Sequence, residues 1–502
     1  MKVCHSTTPQ GEKHTDDDLT RQWNSIDWEN VRSDVNRLQT RIAKATQERK
    51  WNLVKRLSYL LTHSHSAKLL AVRIVTQNKG KRTPGVDGEL WTTAAVKMRA
   101  ARSLTDRQYR AQPLRRIYIP KPGKTTKRPI SIPTMYDRAM QALYAQALQP
   151  IAETTADPRS FGFRLFRCAQ DASRYAFTCL MSQGSAPWVL EGDIKGCFDA
   201  IAHDWLRENI PMDRSVMTQF LKAGFIFETA LYPTDKGTPQ GGLISPLLAN
   251  MTLDGMEKIL VARLPKRNVH FIRYADDFLV TAPTKEVAEE ARDILQEFLA
   301  ERGLELSGEK TVITHIDDGF DFLGYNFRKY KGMLLVKPSR KSIKTISEKI
   351  ATIVRKAQAW TQDRLILALN PVIRGWSNYH RHNAAKRAFG LLDRYVWAVT
   401  WKWGKHRHPN KGHKWIARRY WHREGNRNWV FRTEENTLQL FGDVTIRRHT
   451  IPRLNANPYL DRIYFLERRE RMKRQTPGVQ PNRSFFALPP DNRVVGRMSV
   501  LR

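Results

Sequence analysis

Cysteine is scarce in this chain. The four present, Cys4, Cys168, Cys179 and Cys197, are scattered and form no CxxC pair. That excludes a disulfide framework or a zinc ribbon and fits reduced thiols. Long hydrophobic runs are missing too, since nothing approaches the roughly 18 apolar residues of a membrane span. Met1 to Thr20 lacks the apolar stretch of a secretory signal and carries Asp16, Asp17 and Asp18, which also argues against a transit peptide. The expectation is a cytoplasmic protein with no membrane partner. No internal repeat of fixed period is found. Acidic residues are the last deficit: 49 Asp plus Glu face 85 Lys plus Arg, for a net charge of +36. A field of that sign selects a polyanion, nucleic acid ahead of an anionic membrane surface.

What is present suffices for several cores. A length of 502 residues exceeds what one core supports, and 41% hydrophobic residues with 14 Trp, 15 Tyr and 20 Phe exclude a disordered basic tail protein. Two to four packed units are expected. Val35, Leu38, Ile42 and Ala45, then Trp51, Val54, Leu57 and Leu61, recur at helical spacing and predict a helical hairpin before the Thr62-His63-Ser64 break. From Arg115 to about Tyr330, β-branched runs separated by Gly and Pro turns alternate with helices, an α+β pattern. After Pro338, Ile343, Ile346, Ile350, Ile353 and Ala357 return to helical steps. Tyr395 to Trp421 mixes aromatic with basic residues, and a basic, Pro-interrupted tail follows.

Chemistry enters with carboxylates. In Phe271 to Val280, two β-prone runs flank an Ala275-Asp276-Asp277 tip, the pattern of a hairpin. Alone, an Asp-Asp tip is more often structural, because aspartate bonds its own backbone in turns. A second carboxylate changes that reading. Asp193 ends the apolar run from Trp188, 83 residues before Asp276, far enough to lie on a neighbouring strand. Three carboxylates at one point repel unless cations neutralise them, and paired Mg²⁺ ions on oxygen ligands stabilise both oxygens of an in-line phosphoryl displacement.

Tyr274-Ala275-Asp276-Asp277 resembles the Y-x-D-D signature of reverse transcriptases, and the surrounding motifs resemble those of bacterial group II intron-encoded proteins. The likeness runs from about Ser25 to about Glu470. It includes Thr83 to Gly88, Arg116 to Pro122, Arg128 to Pro133, Asp137 to Gln141, Phe161 to Arg164, Gly237 to Gly242, Phe322 to Tyr325 and Arg374 to His380. Any one of these is weak; all of them in order are highly specific.

The resemblance implies an α+β right-hand polymerase, with fingers and a palm built on an antiparallel sheet with packed helices, followed by an α-helical thumb. Its divisions would be an N-terminal extension and start of the fingers at 1–110, fingers and palm at 111–335, thumb or maturase domain at 336–430, and a basic DNA-binding segment at 431–502. It implies that Asp193 and Asp276, helped by the Ile194 carbonyl, ligate two Mg²⁺ ions, with Asp277 completing the cluster. Phe198 would be the steric gate that selects dNTPs, Gln240 would contact the incoming nucleotide, and Lys121 and Arg128 would neutralise its triphosphate. Asp199 reads as structural. The implied partners are a group II intron RNA, template RNA, primer DNA and target DNA. Many relatives continue into a zinc-bearing HNH nuclease. With no cysteine after Cys197, that module is not expected, and His406, His408, His413 and His422 read as RNA-facing or solvated. Two alternatives stay open: a free-standing relative used in repair or phage defence, and a splicing cofactor with an idle polymerase.

Overall fold

The computed structural model describes residues 15–120 and 127–475. The expected hairpin forms from helices Trp28–Gln47 and Trp51–His63, which bury Val35, Ile42, Val54, Leu57 and Leu61. Asp27 opens the first by accepting from the Glu29 and Asn30 amides. The Thr62-His63-Ser64 break is tighter than a loop. Ser64 directly caps a third helix, His65–Gln77, by accepting from the Ala67 amide. All three pack on Met135–Thr155, a helix buried on nearly every side. Several of its polar side chains bond neighbouring segments. Arg138 donates to the carbonyls of Thr83 and Pro133, which ties the Thr83-Pro84-Gly85 motif to this helix.

The fingers carry a mixed sheet of β1 (Leu114–Pro120), β2 (Lys127–Ile132), β4 (Phe225–Phe227) and β5 (Ala230–Tyr232), in the order β2-β1-β4-β5. The palm sheet is antiparallel and contains β3 (Trp188–Asp193), β6 (His270–Tyr274), β7 (Asp277–Ala282) and β8 (Val312–His315), in the order β6-β7-β3-β8. Strand alternation gives it two apolar faces. Leu190, Phe278 and Val280 join the large core with helix Lys285–Ala300, whereas Val189, Ile272 and Leu279 join Phe161, Phe327 and helix Ala169–Leu180. A small sheet of β9 (Phe320–Phe322), β10 (Tyr325–Tyr330) and β11 (Met333–Pro338) leads out of the palm.

A helix begins where the apolar period after Pro338 predicted one. Ser339 caps helix Arg340–Lys356, and helices Gln362–His380 and Lys386–Arg407 complete a bundle around Ile350, Leu369, Phe389 and Leu392. Its core also takes in Phe431, Leu438 and Phe441. The tryptophans divide between two roles. Trp403 and Trp421 are buried, while Trp397, Trp415 and Trp429 are exposed.

Two sequence motifs prove to be one joint. Tyr325 donates through its hydroxyl to the Tyr379 carbonyl at 2.7 Å, Tyr379 donates to the Leu323 carbonyl at 2.8 Å, and the two rings stack. The Phe322-to-Tyr325 and Arg374-to-His380 boxes therefore fasten palm to thumb. Beyond the thumb, residues 447–468 return as a strap. Asn457 donates to Thr154 Oγ1 at 2.9 Å, and Arg167 donates to the Leu454 carbonyl at 2.9 Å. Among the described residues, no helix is long and apolar enough to cross a membrane.

Candidate active site

Sheet register decides where the carboxylates stand. β3 pairs with β7 so that Asp193 faces Asp277 as their last pair. Across the next strand Tyr274 pairs with Asp277, which leaves Ala275-Asp276 as a two-residue tip. Asp193 and Asp277 thus share a face, and their carboxyls share a hydrogen bond. Ala275 has φ 58° and Asp276 does not join it in the left-handed region, as in a type II′ turn, whose first central position ordinarily favours glycine.

Neighbouring groups hold that strained tip in place. Gly162 runs so close beneath it that a Cβ there would lie 2.3 Å from the Ala275 nitrogen, so only glycine fits. Asn250 donates to the Gly162 carbonyl at 2.8 Å. Arg273, fully buried, donates to Asn250 Oδ1 at 3.0 Å and to Asp254 Oδ1 at 2.5 Å. The Phe161-to-Arg164 motif is in this way a cradle for the Asp276-Asp277 hairpin.

The cluster's electrostatics ask for a cation. Burial, then the Asp193 charge, raises the Asp276 carboxyl, with Lys310 and Arg128 opposing. Burial, then the charges of Asp276 and Asp193, pushes Asp277 up to about 7. Lys310 Nζ stands 2.5 Å from Asp193 Oδ2 and supplies one positive charge. Ile194 adds an oxygen. Its neighbours bond the β8 side, Asp193 O accepting from Ser307 N and Lys195 N donating to Glu305 O. By strand alternation, its own carbonyl then faces the β7 side and the Asp276 tip. Hard oxygen donors that resist ionisation alone and draw in an ammonium group fit a divalent cation.

The other expected residues gather at the same end of the palm, with one outside view. Phe198 is half-buried beside Phe163, and both line a small cleft with Asp276. Arg128 is on β2, close enough for its charge to lower Asp276. Gln240 donates to Asp199 Oδ2 at 3.0 Å, while its carbonyl accepts from the Ser131 amide at 2.7 Å. Asp199 is thus a partner for the Gly237-to-Gly242 loop. Lys121 lies outside the described residues. Sequence reading missed Lys310, Arg273 and Asn250. Nothing in their spacing sets them apart, because each acts through a partner distant in sequence.

Another polar cluster is built differently. Cys168 Sγ, Asp171 and His449 bring possible ligand atoms within 4.8 Å of one another. Asp171 is fully buried, and its Oδ1 already accepts from His449 at 2.7 Å and from Arg468 at 2.6 Å. A guanidinium on the central carboxylate makes this an ion-pair hub rather than a metal centre.

Carboxylates at one end of an antiparallel palm sheet, with fingers of helices and a mixed sheet and with a helical thumb, place the chain in the class of template-dependent nucleic-acid polymerases. Comparison with known proteins narrows the class. The profile for reverse transcriptase (RNA-dependent DNA polymerase) matches residues 119–327, that for the N-terminal domain of reverse transcriptase matches 23–104, and that for the group II intron maturase-specific domain matches 343–421. Protein YkfC of Escherichia coli K12 is 34% identical over 303 residues, 51% of this chain and 78% of that protein. The group II intron-encoded protein LtrA of Lactococcus lactis subsp. cremoris is 29% identical over 387 residues, 62% of this chain and 63% of LtrA's length. Maturase-like protein 1 of Euglena gracilis is 25% identical over 71% of this chain and 77% of its own. A solved telomerase from Candida albicans overlaps with a TM-score of 0.34 at 13% identity, covering 63% of this chain and 64% of that one. The chain belongs to the group II intron reverse transcriptase and maturase family.

Proposed function

We propose that this chain copies RNA into DNA with two Mg²⁺ ions at Asp193, Asp276 and Asp277. It also binds a group II intron RNA to promote splicing and to carry that RNA into target DNA by target-primed synthesis. The register that sets Asp193 against Asp277, one residue from the Asp276 tip, carries this reading.

Asp193 and Asp276, with the Ile194 carbonyl, would hold the ions, and Asp277 completes the acidic cluster. When bound, the ions supply electrostatic stabilisation of the attacking and leaving oxygens. The chain's own groups do the rest. Lys310 gives up its bond to Asp193 as the cluster is neutralised. Arg128, and Lys121 by resemblance, balance the triphosphate. The Phe198 ring stands beside Asp276, where it excludes a ribonucleotide 2′-hydroxyl, and Gln240 leaves Asp199 to meet the incoming nucleotide.

The test is primer extension on an annealed RNA template with dNTPs and Mg²⁺. Long cDNA is expected from the unaltered chain, and none from Asp276→Asn. Activity surviving that substitution overturns the metal assignment. A parallel intron-splicing assay should find Asp276→Asn competent, because splicing uses RNA binding and not the carboxylates.

A further inference from the structure

Phe163 holds a strained backbone and buries little in return. Its φ is 57°, in the left-handed region that bulky residues rarely adopt. Its side chain stays exposed, while Gly162 and Arg164 on either side are buried. Those flanking residues enforce the conformation. The Phe161 amide donates to the Arg273 carbonyl at 2.9 Å, and the Gly162 carbonyl accepts from Asn250 at 2.8 Å. Arg164 donates to Glu153 Oε2 and to the Asp157 carbonyl, both at 2.9 Å. A strained residue persists only where its surroundings over-determine it, and such residues cluster at functional sites. Here the strain sets the direction of one ring. Phe163 meets Phe198 edge to face, with centroids 6.4 Å apart and planes at 76°.

Phe198 gains little rigidity from its own element. It sits on helix Cys197–Ala200, a single turn entered through left-handed Gly196. Its backbone is held where the Thr238 amide donates to the Phe198 carbonyl at 2.5 Å. The ring is supported elsewhere. Among the described residues, Phe163 is the aromatic partner it meets, and both rings border the cleft that Ala275 and Asp276 also line. Edge-to-face contact fixes orientation as well as position, because the positive edge of one ring is drawn to the negative face of the other. A ring that could turn to another staggered rotamer would yield to a ribose instead of rejecting it.

We infer that Phe163 is a positioning residue for sugar selection, acting through Phe198. Its ring fills the space into which the Phe198 side chain would otherwise turn, and so keeps the gate where a ribonucleotide 2′-hydroxyl collides with it. The inference rests on the polymerase reading and on Phe198 as the gate.

The test is single-nucleotide primer extension by the full chain on an RNA template, with kcat/KM compared for dCTP and CTP. Phe163→Ala should lower the dCTP-to-CTP ratio about fivefold, through better use of CTP. Phe198→Ala should lower it further. Adding Phe163→Ala to Phe198→Ala should change nothing more, because no ring is left to hold. Phe163→Tyr keeps the ring and should retain the parent ratio. A dideoxy-terminated primer, which cannot extend, gives the equilibrium affinity separately, and CTP should bind more tightly to Phe163→Ala than to the parent. If Phe198→Ala lowers the ratio while Phe163→Ala leaves it unchanged, or if Phe163→Ala loses dCTP and CTP use by equal factors, the proposal is overturned. An unchanged ratio in Phe198→Ala overturns the gate assignment and this inference with it, whereas absence of any extension by the parent overturns the polymerase reading itself.

Discussion

Lys310 Nζ stands 2.5 Å from Asp193 Oδ2, so the ammonium of a loop residue occupies the carboxylate assigned to metal binding. Without metal, this is the nearest positive charge to the cluster, and Asp193 in turn raises the Lys310 ammonium above its ordinary range.

Replacing Lys310 with Met should therefore make the protein lean more heavily on Mg²⁺. Lys310 is more than half exposed, which limits the pair to about 1 kcal/mol or less. Melting curves with and without Mg²⁺ should show a larger metal-induced rise in Lys310→Met than in the unaltered chain, by ~1–2 °C. Equal rises in the two proteins would count against a placeholder role.

Gly162→Ala tests the cradle under the tip. The added Cβ would sit 2.3 Å from one backbone atom and 2.8 Å from the next, so the Ala275-Asp276 turn has to move. A displacement of about 1 Å can lower a rate ~100-fold, and cDNA synthesis should fall by that order. The intron-splicing assay should change far less. Comparable losses in both assays would point to general unfolding instead.

Asp171→Asn should rank among the most destabilising single changes in the palm. It removes the buried anion from two partners, His449 and Arg468, and leaves the guanidinium nine-tenths buried. Breaking a buried pair in that way typically costs about 3–5 kcal/mol. Burial works against the Asp171 carboxylate, but the His449 bond and the Arg468 charge overcome it and hold its pKa below the ordinary value. A depressed carboxyl stabilises above its unfolded pKa, and this contribution is lost as pH falls below about 4. Chemical denaturation at neutral pH measures the first effect, and an acid titration the second. A variant as stable as the parent would contradict the hub.

His380 gives a pH dependence of a different origin. It is 1% exposed, and burial lowers its pKa to about 3. Unfolded histidine titrates near 6.5, so below that pH the unfolded chain binds the additional proton and stability falls with pH toward 3. Between pH 6.5 and 4.5 the loss should be roughly 2–3 kcal/mol. Unfolding free energies of the parent and His380→Gln, compared across that range, should differ in slope by about one proton. Parallel curves would mean that His380 is not held neutral.

The elements easiest to read in the sequence are those whose information is local. The period of Val35 to Leu61 and of Ile343 to Ala357 gave helices because burial on one face needs that spacing. The hairpin at Asp276-Asp277 was legible because β-prone runs flank a turn-favouring pair. Asp193 became legible through motif context, and the register then brought it opposite Asp277. Other features depend on pairings between distant residues. Tyr325 with Tyr379, Arg273 with Asp254 and Lys310 with Asp193 carry no periodic or motif signal that names the partner. The Trp-rich stretch was ambiguous for the same reason. Only the packed structure separates buried Trp403 from exposed Trp397, six residues apart on one helix.

The strap also bears on how the protein is made. Asp171 is satisfied by residues 278 and 297 positions later, so a ribosome has synthesised the whole palm and thumb before either partner exists. Until His449 and Arg468 emerge, the nascent palm holds a carboxylate that has to remain hydrated or protonated. Domains otherwise close from the N-terminal side as they appear. Here closure around Asp171 waits until residues 449 and 468 have been made.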